Sequence, residues 1–308
     1  MKYLIGMDGG GTKTTSVITD LSGNKLYDCV GGPSNILTYS AETVSQNIFD
    51  LAEKCLSNIG AGFSDLQGIM VGAAGAGRRN DAERLEKSFI SLAGSKGILF
   101  DKIAVESDAR IALEGAFSGR PGSILISGTG SIILGKDAEG IIHRVGGFGR
   151  ILSDDGSGYS IGRQALNAIA KEFDGRGEHT AITELAQINF NVLSPDILIT
   201  KIYKENFDVA SAALLVFAAA EDNDKVALEI IDKETDSLFL HISSMFKKLN
   251  QSGMELAFIG GIIGNNNIFS RTLRNKISES FMNIILTEPE NPPEIGAVLM
   301  IKEKRHNV

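Results

Sequence analysis

The densest chemistry in the chain lies in Leu4-Ile5-Gly6-Met7-Asp8-Gly9-Gly10-Gly11-Thr12-Lys13-Thr14-Thr15-Ser16-Val17-Ile18. An apolar run leads into one acid, three consecutive glycines, a hydroxyl and a lysine. Consecutive glycines let backbone N–H groups approach a bound group without Cβ interference, and successive N–H groups in such a turn can form an anion-binding nest. The carboxylate of Asp8 suits a hard divalent cation such as Mg²⁺. The β-branched residues Thr14, Thr15, Val17 and Ile18 predict a strand after the turn. The element is therefore strand, glycine turn, strand. Two other phosphate loops fail here. Thr12 separates Gly11 from Lys13, so the Gly-Lys-Ser/Thr order of a P-loop is absent, and the dinucleotide fingerprint needs a helix after its glycines. A plain hairpin whose glycines serve only positive φ would use the same residues.

The same pattern recurs. Ile124-Leu125-Ile126-Ser127 leads into Gly128-Thr129-Gly130-Ser131, and Ile132-Ile133-Leu134 leaves it. Each copy continues through a tight turn, at Leu21 to Lys25 or Lys136 to Gly140, into a third strand, Leu26 to Val30 or Ile141 to Val145. After the first copy, helical spacing covers Ala41 to Ile59 and Asp81 to Leu92, around a buried strand at Gly68 to Ala74. Lys102 to Glu106 reads as a strand, and Ser107-Asp108 caps a helix to about Phe117. After the second copy come a glycine-rich loop at Gly146 to Arg150, Ser153-Asp154-Asp155-Gly156, and a mostly helical stretch to Asn250. Glu255 to Ile259 is a strand followed by the loop Gly260 to Asn265, then a helix from Asn267 to Phe281 and a strand at Asn283 to Thr287. Pro292-Pro293 opens a last helix. Two similar halves predict a duplicated α/β domain, with a cleft between the copies and one glycine turn on each side of it.

Length and composition bound the function. The 308 residues suffice for one large or two medium domains. A hydrophobic content of 43% with 22% charged residues fits a globular protein with a sizeable core. The net charge of −8 opposes broad nucleic-acid or anionic-membrane binding, but leaves room for a small anionic ligand held by local N–H groups. No run of about 20 apolar residues predicts a transmembrane helix, and the first residues run into the strand without a signal-peptide pattern. Cys29 and Cys55 form no CxxC pair and read as reduced thiols of a cytoplasmic protein. The histidines show no ligand spacing.

Taken together, Asp8 to Thr14, Ser107-Asp108-Ala109, Ile126 to Ser131, Gly146-Gly147-Phe148-Gly149, Ser153 to Ser157 and Gly260 to Asn265 resemble the superfamily of sugar kinases, actin and heat-shock chaperone ATPases. Within it the chain resembles the BadF/BadG/BcrA/BcrD group, and most of all its N-acetylglucosamine kinases. The resemblance covers nearly the whole chain. It implies two ribonuclease-H-like domains of the actin-type ATPase kind around an interdomain cleft: residues 1–118, to which the closing helix 292–304 can return, and residues 119–291 with a helical insertion.

The resemblance also implies ATP-dependent phosphoryl transfer to the 6-hydroxyl of an N-acetylated amino sugar, N-acetylglucosamine or N-acetylmuramic acid. Gly10, Gly11, Thr12 and Lys13 would hold the phosphates from one side, and Gly128, Thr129, Gly130 and Ser131 from the other. Asp8 would hold Mg²⁺, and Gly261 and Ala220 would face the adenosine. Asp108 would be the general base, at a helix N-terminus whose dipole favours its ionised form. Asn35, Gly147, Phe148 and Asp154 would join Asp108 around the sugar, with Phe148 packing on its apolar face. An aromatic buried in a glycine loop would otherwise be core. The animal enzymes of the group carry Trp where this chain has Phe148. A cytoplasmic homodimer without nucleic-acid or membrane partners is implied as well. Three further readings are a glucosamine or glucose kinase of the same group, an ATP-driven activator of a redox enzyme, and a sugar-sensing regulator. The second would need cluster ligands that two isolated cysteines do not supply, and the third lacks a helix-turn-helix signature or basic arm.

Overall fold

The structure is a computed structural model that describes residues 1–306, with the side chains of Arg305 and His306 outside the description. The first part of the chain forms β1 (Tyr3–Gly9), β2 (Thr14–Asp20), β3 (Lys25–Gly31), α1 (Ala41–Asn58), β4 (Leu66–Ala73), α2 (Arg79–Ser95), β5 (Ile103–Ser107) and α3 (Asp108–Ala116). It continues through β6 (Gly122–Ser127), β7 (Ser131–Lys136), β8 (Ile142–Gly146), α4 (Gly158–Phe173), α5 (Ala181–Phe190), α6 (Pro195–Lys204), α7 (Ala213–Glu221) and α8 (Lys225–Leu249). It closes with β9 (Met254–Ile259), α9 (Ile268–Ser280), β10 (Ile284–Thr287) and α10 (Pro293–His306). Short polar side chains start many of the helices, satisfying N–H groups that the first turn leaves open. Ser40 accepts from Thr43 N, Ser107 from Arg110 N, Ser157 from Ser160 N and Asp224 from Ala227 N.

Two compact units result: Met1–Gly122 together with the segment from Glu288, and Ser123–Thr287. Each is built on a five-stranded mixed sheet. The orders are β3-β2-β1-β4-β5 and β8-β7-β6-β9-β10, so the internal repeat of the sequence is a repeat of sheet topology. In the first unit β1–β2 and β2–β3 are antiparallel, while β1–β4 and β4–β5 are parallel. In the second unit β7–β8 is antiparallel, while β6–β9 and β9–β10 are parallel. This is the ribonuclease-H-like arrangement.

Strand alternation sorts the core of the first unit. Ile5 and Met7 of β1 face a layer with Val44, Ile48 and Phe49 of α1 and Leu85 and Phe89 of α2. Leu4, on the opposite face, joins Ile111 of α3 and Ala297, Val298 and Ile301 of α10. Gly6 also lies on that face, and a Cβ there would come within 2.1 Å of Glu294 O, so the start of α10 rests directly on β1. In the second unit one apolar cluster gathers Ile133 of β7, Ile161 and Ala165 of α4, Leu238 and Ile242 of α8, and Phe269 and Leu273 of α9. The region read from sequence as mostly helical resolves into α5, α6 and α7 ahead of α8. Among the described residues no helix is long and apolar enough to cross a membrane.

Candidate functional site

In the first unit the glycine turn joins β1 to β2, and Gly9 pairs with Thr14 at its base. Gly10 N donates to Lys13 O at 2.9 Å, closing the turn. Two neighbouring loops support it: Ser34 N donates to Gly10 O (3.0 Å) and Ala74 N to Gly9 O (2.8 Å). A Cβ at Gly9 would sit 2.6 Å from Ser34 Cβ, so packing demands glycine there. Thr14 Oγ1 donates to Gly32 O and shares a hydrogen bond with Ser34 Oγ, both at 2.7 Å. Gly11, Thr12 and Lys13 are exposed at the tip. Asn35 turns its Oδ1 to Leu37 N (2.9 Å), while its Nδ2 lies 3.8 Å from where a Cβ of Gly11 would be.

Two acids flank this turn. Asp8 is half-buried at the end of β1. Burial first, then the nearby charges of Asp108 and Glu294, push its carboxyl up to about 6, with Lys13 opposing. Asp108 is the first residue of α3, capped by Ser107, and its Oδ1 accepts from Ala109 N at 2.8 Å. Its side chain stays open to solvent, yet the desolvation imposed by surrounding protein raises its carboxyl above the usual range. The first unit thus brings Asp8, the turn, Asn35 and Asp108 to one end of its sheet. Among the described residues no group of three or more acids, histidines or cysteines could hold a metal by protein ligands alone.

In the second unit Gly128 N donates to Gly130 O at 3.0 Å, the counterpart of the Gly10–Lys13 bond. The segment Asp154–Gly158 is laced to this turn. Ser127 Oγ donates to Gly156 O and Ser131 Oγ to Asp155 O, both at 2.7 Å, and Gly158 N to Gly128 O at 2.8 Å. On another side Ile262 N donates to Ser127 O (3.1 Å), and a Cβ at Gly260 would meet Ser127 O at 2.4 Å. Gly261 is exposed next to that contact, with open space where its Cβ would be. Asp154 is buried and holds φ +65°. Its Oδ1 accepts from Gly149 N (3.3 Å); burial raises its carboxyl, and the Gly149 and Ser131 amides oppose the shift. Gly147 adopts φ +70° on the same loop. Phe148 is 66% exposed, with the Arg144 guanidinium 4.9 Å from its ring centre.

Several expectations change. Gly10 and Gly128 spend their amides inside the turns, so they shape the cradles instead of donating outward. The hydroxyl of Ser131 is committed to Asp155 O. Phe148 is not core. Ala220 is 1% exposed in the apolar cluster of the second unit, at the end of α7, where its carbonyl accepts from Asn223 N; its side chain offers a ligand no surface.

Sequence reasoning missed Glu294, whose charge reaches Asp8 only because α10 returns to β1. It also missed Glu234, a carboxylate 3% exposed that accepts from Gly156 N (2.5 Å), Ser160 Oγ (2.9 Å) and Gln164 Nε2. A signal for Glu234 existed: it interrupts the stripe Ala227, Ile230, Ile231, Leu238, Ile242 at helical spacing. Cys29 and Cys55, far apart in sequence, lie with their sulfurs 3.3 Å apart.

The chain is similar to known proteins over nearly its whole length. An N-acetylmuramic acid/N-acetylglucosamine kinase of Clostridium acetobutylicum is 34% identical over 309 residues, covering 99% of each chain. An N-acetyl-D-glucosamine kinase of Dictyostelium discoideum is 29% identical over 314 residues, covering 97% of each. A solved structure from Chromobacterium violaceum shares the fold with a TM-score of 0.77 at 24% identity, over 98% of this chain and 99% of that one. The family model that matches runs from residue 5 to residue 300, through both glycine turns and into the returning helix, and the chain belongs to the BadF/BadG/BcrA/BcrD ATPase family.

Proposed function

We propose that the protein is an ATP-dependent kinase acting on the 6-hydroxyl of an N-acetylated amino sugar. The observation that carries the reading is the end-to-end similarity to an N-acetylmuramic acid/N-acetylglucosamine kinase. The geometry adds what phosphoryl transfer asks for, which is positioning and charge neutralisation. Gly11, Thr12 and Lys13 are exposed on a braced turn and would receive phosphate oxygens; Thr129 and Gly130 would do so from the second turn. Asp108 would accept the proton of the sugar hydroxyl as its oxygen bonds to the γ-phosphorus and the bond to the β–γ bridging oxygen breaks, leaving ADP. A carboxylate raised above its usual range is a stronger base, and Asp108 is open to an incoming hydroxyl. Asn35 and Phe148 would orient the sugar.

Mg²⁺ fits the acid set. The half-buried carboxylate of Asp8 sits in a surplus of negative charge from Asp108 and Glu294 that a bound cation would relieve, and Mg²⁺ commonly takes one or two carboxylates plus phosphate oxygens. When bound it would neutralise charge on the polyphosphate. A cytoplasmic homodimer belongs to the same reading; a single-protomer mass in solution would remove the dimer from it.

An ADP-release assay with ATP and Mg²⁺ across amino sugars tests the proposal. Turnover is expected with N-acetylglucosamine or N-acetylmuramic acid, and none with the 6-deoxy analogue. Absence of turnover with every amino sugar rejects it. A higher kcat/KM for glucosamine than for its acetylated form would move the reading to a glucosamine kinase.

A further inference from the structure

We propose that Glu234 is a positioning residue for the amino-sugar loop, acting through one peptide plane that it holds together with Ser131. The inference rests on the kinase reading above. The peptide joining Asp155 to Gly156 is gripped at both ends: its carbonyl accepts from Ser131 Oγ at 2.7 Å, and its N–H donates to Glu234 Oε2 at 2.5 Å. One end is thus tied to the second glycine turn and the other to α8. Asp154, immediately before this peptide, holds φ +65°, a left-handed conformation disfavoured for residues other than glycine. Such a conformation persists only where its surroundings impose it.

Those surroundings are specific. Gly156 adopts φ +73°, and a Cβ there would fall 2.2 Å from Leu238 Cγ, one turn along α8 from Glu234. The helix therefore presses on the loop with an apolar side chain and grips it with a carboxylate. A buried carboxylate is costly unless its lone pairs are used. Here Gly156 N, Ser160 Oγ and Gln164 Nε2 use them, all neutral donors, and the N-terminal turn of α4 adds a favourable dipole. Ser160 and Gln164 both lie on α4, which begins at Gly158 against the Gly128 carbonyl. Glu234 thus ties α8 to α4 and to the loop carrying Asp154, and through Ser131 to the turn assigned to phosphate. Loss of its acceptor toward Gly156 frees that peptide to rotate, which moves Asp154 on one side and the Ser131 hydroxyl on the other.

Glu234→Gln is nearly isosteric and keeps an oxygen for Ser160 and Gln164, but sets its amide N–H₂ against Gly156 N–H, donor against donor. The expected result is a sugar KM raised about tenfold or more with a smaller change in kcat, about 1.4 kcal/mol per decade. Ser131→Ala releases the opposite end of the peptide and is expected to raise the sugar KM as well. Ile242→Ala, a core truncation on the same helix, lowers Tm but is expected to leave that KM within twofold of wild type. The proposal is overturned by a wild-type sugar KM in either of the first two variants, or by an equal rise in Ile242→Ala. Amide exchange at Gly156 serves as the readout independent of turnover: it should quicken in Glu234→Gln while Gln164→Leu leaves it protected. Unchanged exchange at Gly156 also overturns the proposal. An inactive wild type would count against the kinase reading alone, because exchange still decides whether Glu234 holds the loop.

Discussion

The carboxylate of Asp154 lies against Gly130 so closely that a Cβ at position 130 would come 2.9 Å from Asp154 Oδ2. The residue expected at the sugar and the turn expected at the phosphates are therefore neighbours within one unit. Gly130→Ala should displace Asp154, raising KM for both ATP and sugar by about tenfold and costing on the order of 1 kcal/mol of stability. Gly94→Ala on α2 is the control, since nothing lies within 4 Å of its Cβ position and it belongs to neither turn. Steady-state kinetics and thermal melts of the pair check this; equal effects at the two glycines would refute it.

Asp108→Asn removes the proposed proton acceptor and keeps the side-chain volume. A kcat lower by roughly 10²- to 10⁴-fold is expected, with ATP affinity by calorimetry close to wild type. The wild-type rate should fall on the acid side of the pH profile, at a pH above the ordinary carboxylate range, because desolvation by the surrounding protein raises Asp108. A profile flat down to pH 4 would contradict the assignment.

Asp8 links activity to stability with a definite sign. Its folded carboxyl titrates at about 6 against 3.8 for the free side chain, so the folded state binds the proton more tightly. The associated penalty is absent below about pH 4, grows between pH 4 and 6, and is complete above 6. Asp8→Asn should therefore be more stable than wild type at pH 7 by up to about 3 kcal/mol, equally stable at pH 3.5, and far less active. Melts across that range decide it, and a variant less stable at pH 7 would reverse the sign.

Phe148 is exposed and has little packing to lose. Phe148→Ala should leave Tm within a degree or two while raising the sugar KM several-fold and flattening the preference for the N-acetyl group. A large fall in Tm would show that the ring serves the fold instead.

Burial, the largest effect, pushes the Cys55 thiol up to about 12, with Cys29 beside it. A thiol so placed is almost wholly protonated at pH 8 and poorly nucleophilic. Ellman's reagent should find Cys55 unreactive in the folded protein and reactive after denaturation.

Local pattern alone specified the elements and their repetition. The apolar run at Leu4 to Met7, the Gly10 and Gly128 turns and the Ser107 cap each rest on residues close together in the chain, which a sequence displays directly. Asp108 at a helix start was legible for the same reason. Tertiary structure alone decided what those local pieces meet. The charge of Glu294 reaches Asp8 because α10 returns to β1, across nearly the whole length of the chain. Cys29 touches Cys55 because α1 covers the face of the sheet that β3 presents. Ala220 is buried because the helices after α4 share one apolar cluster. Glu234 grips Gly156 because α8 passes beneath a loop 78 residues away. Long-range packing sets which donors face which acceptors, and no spacing rule over a few residues carries that information.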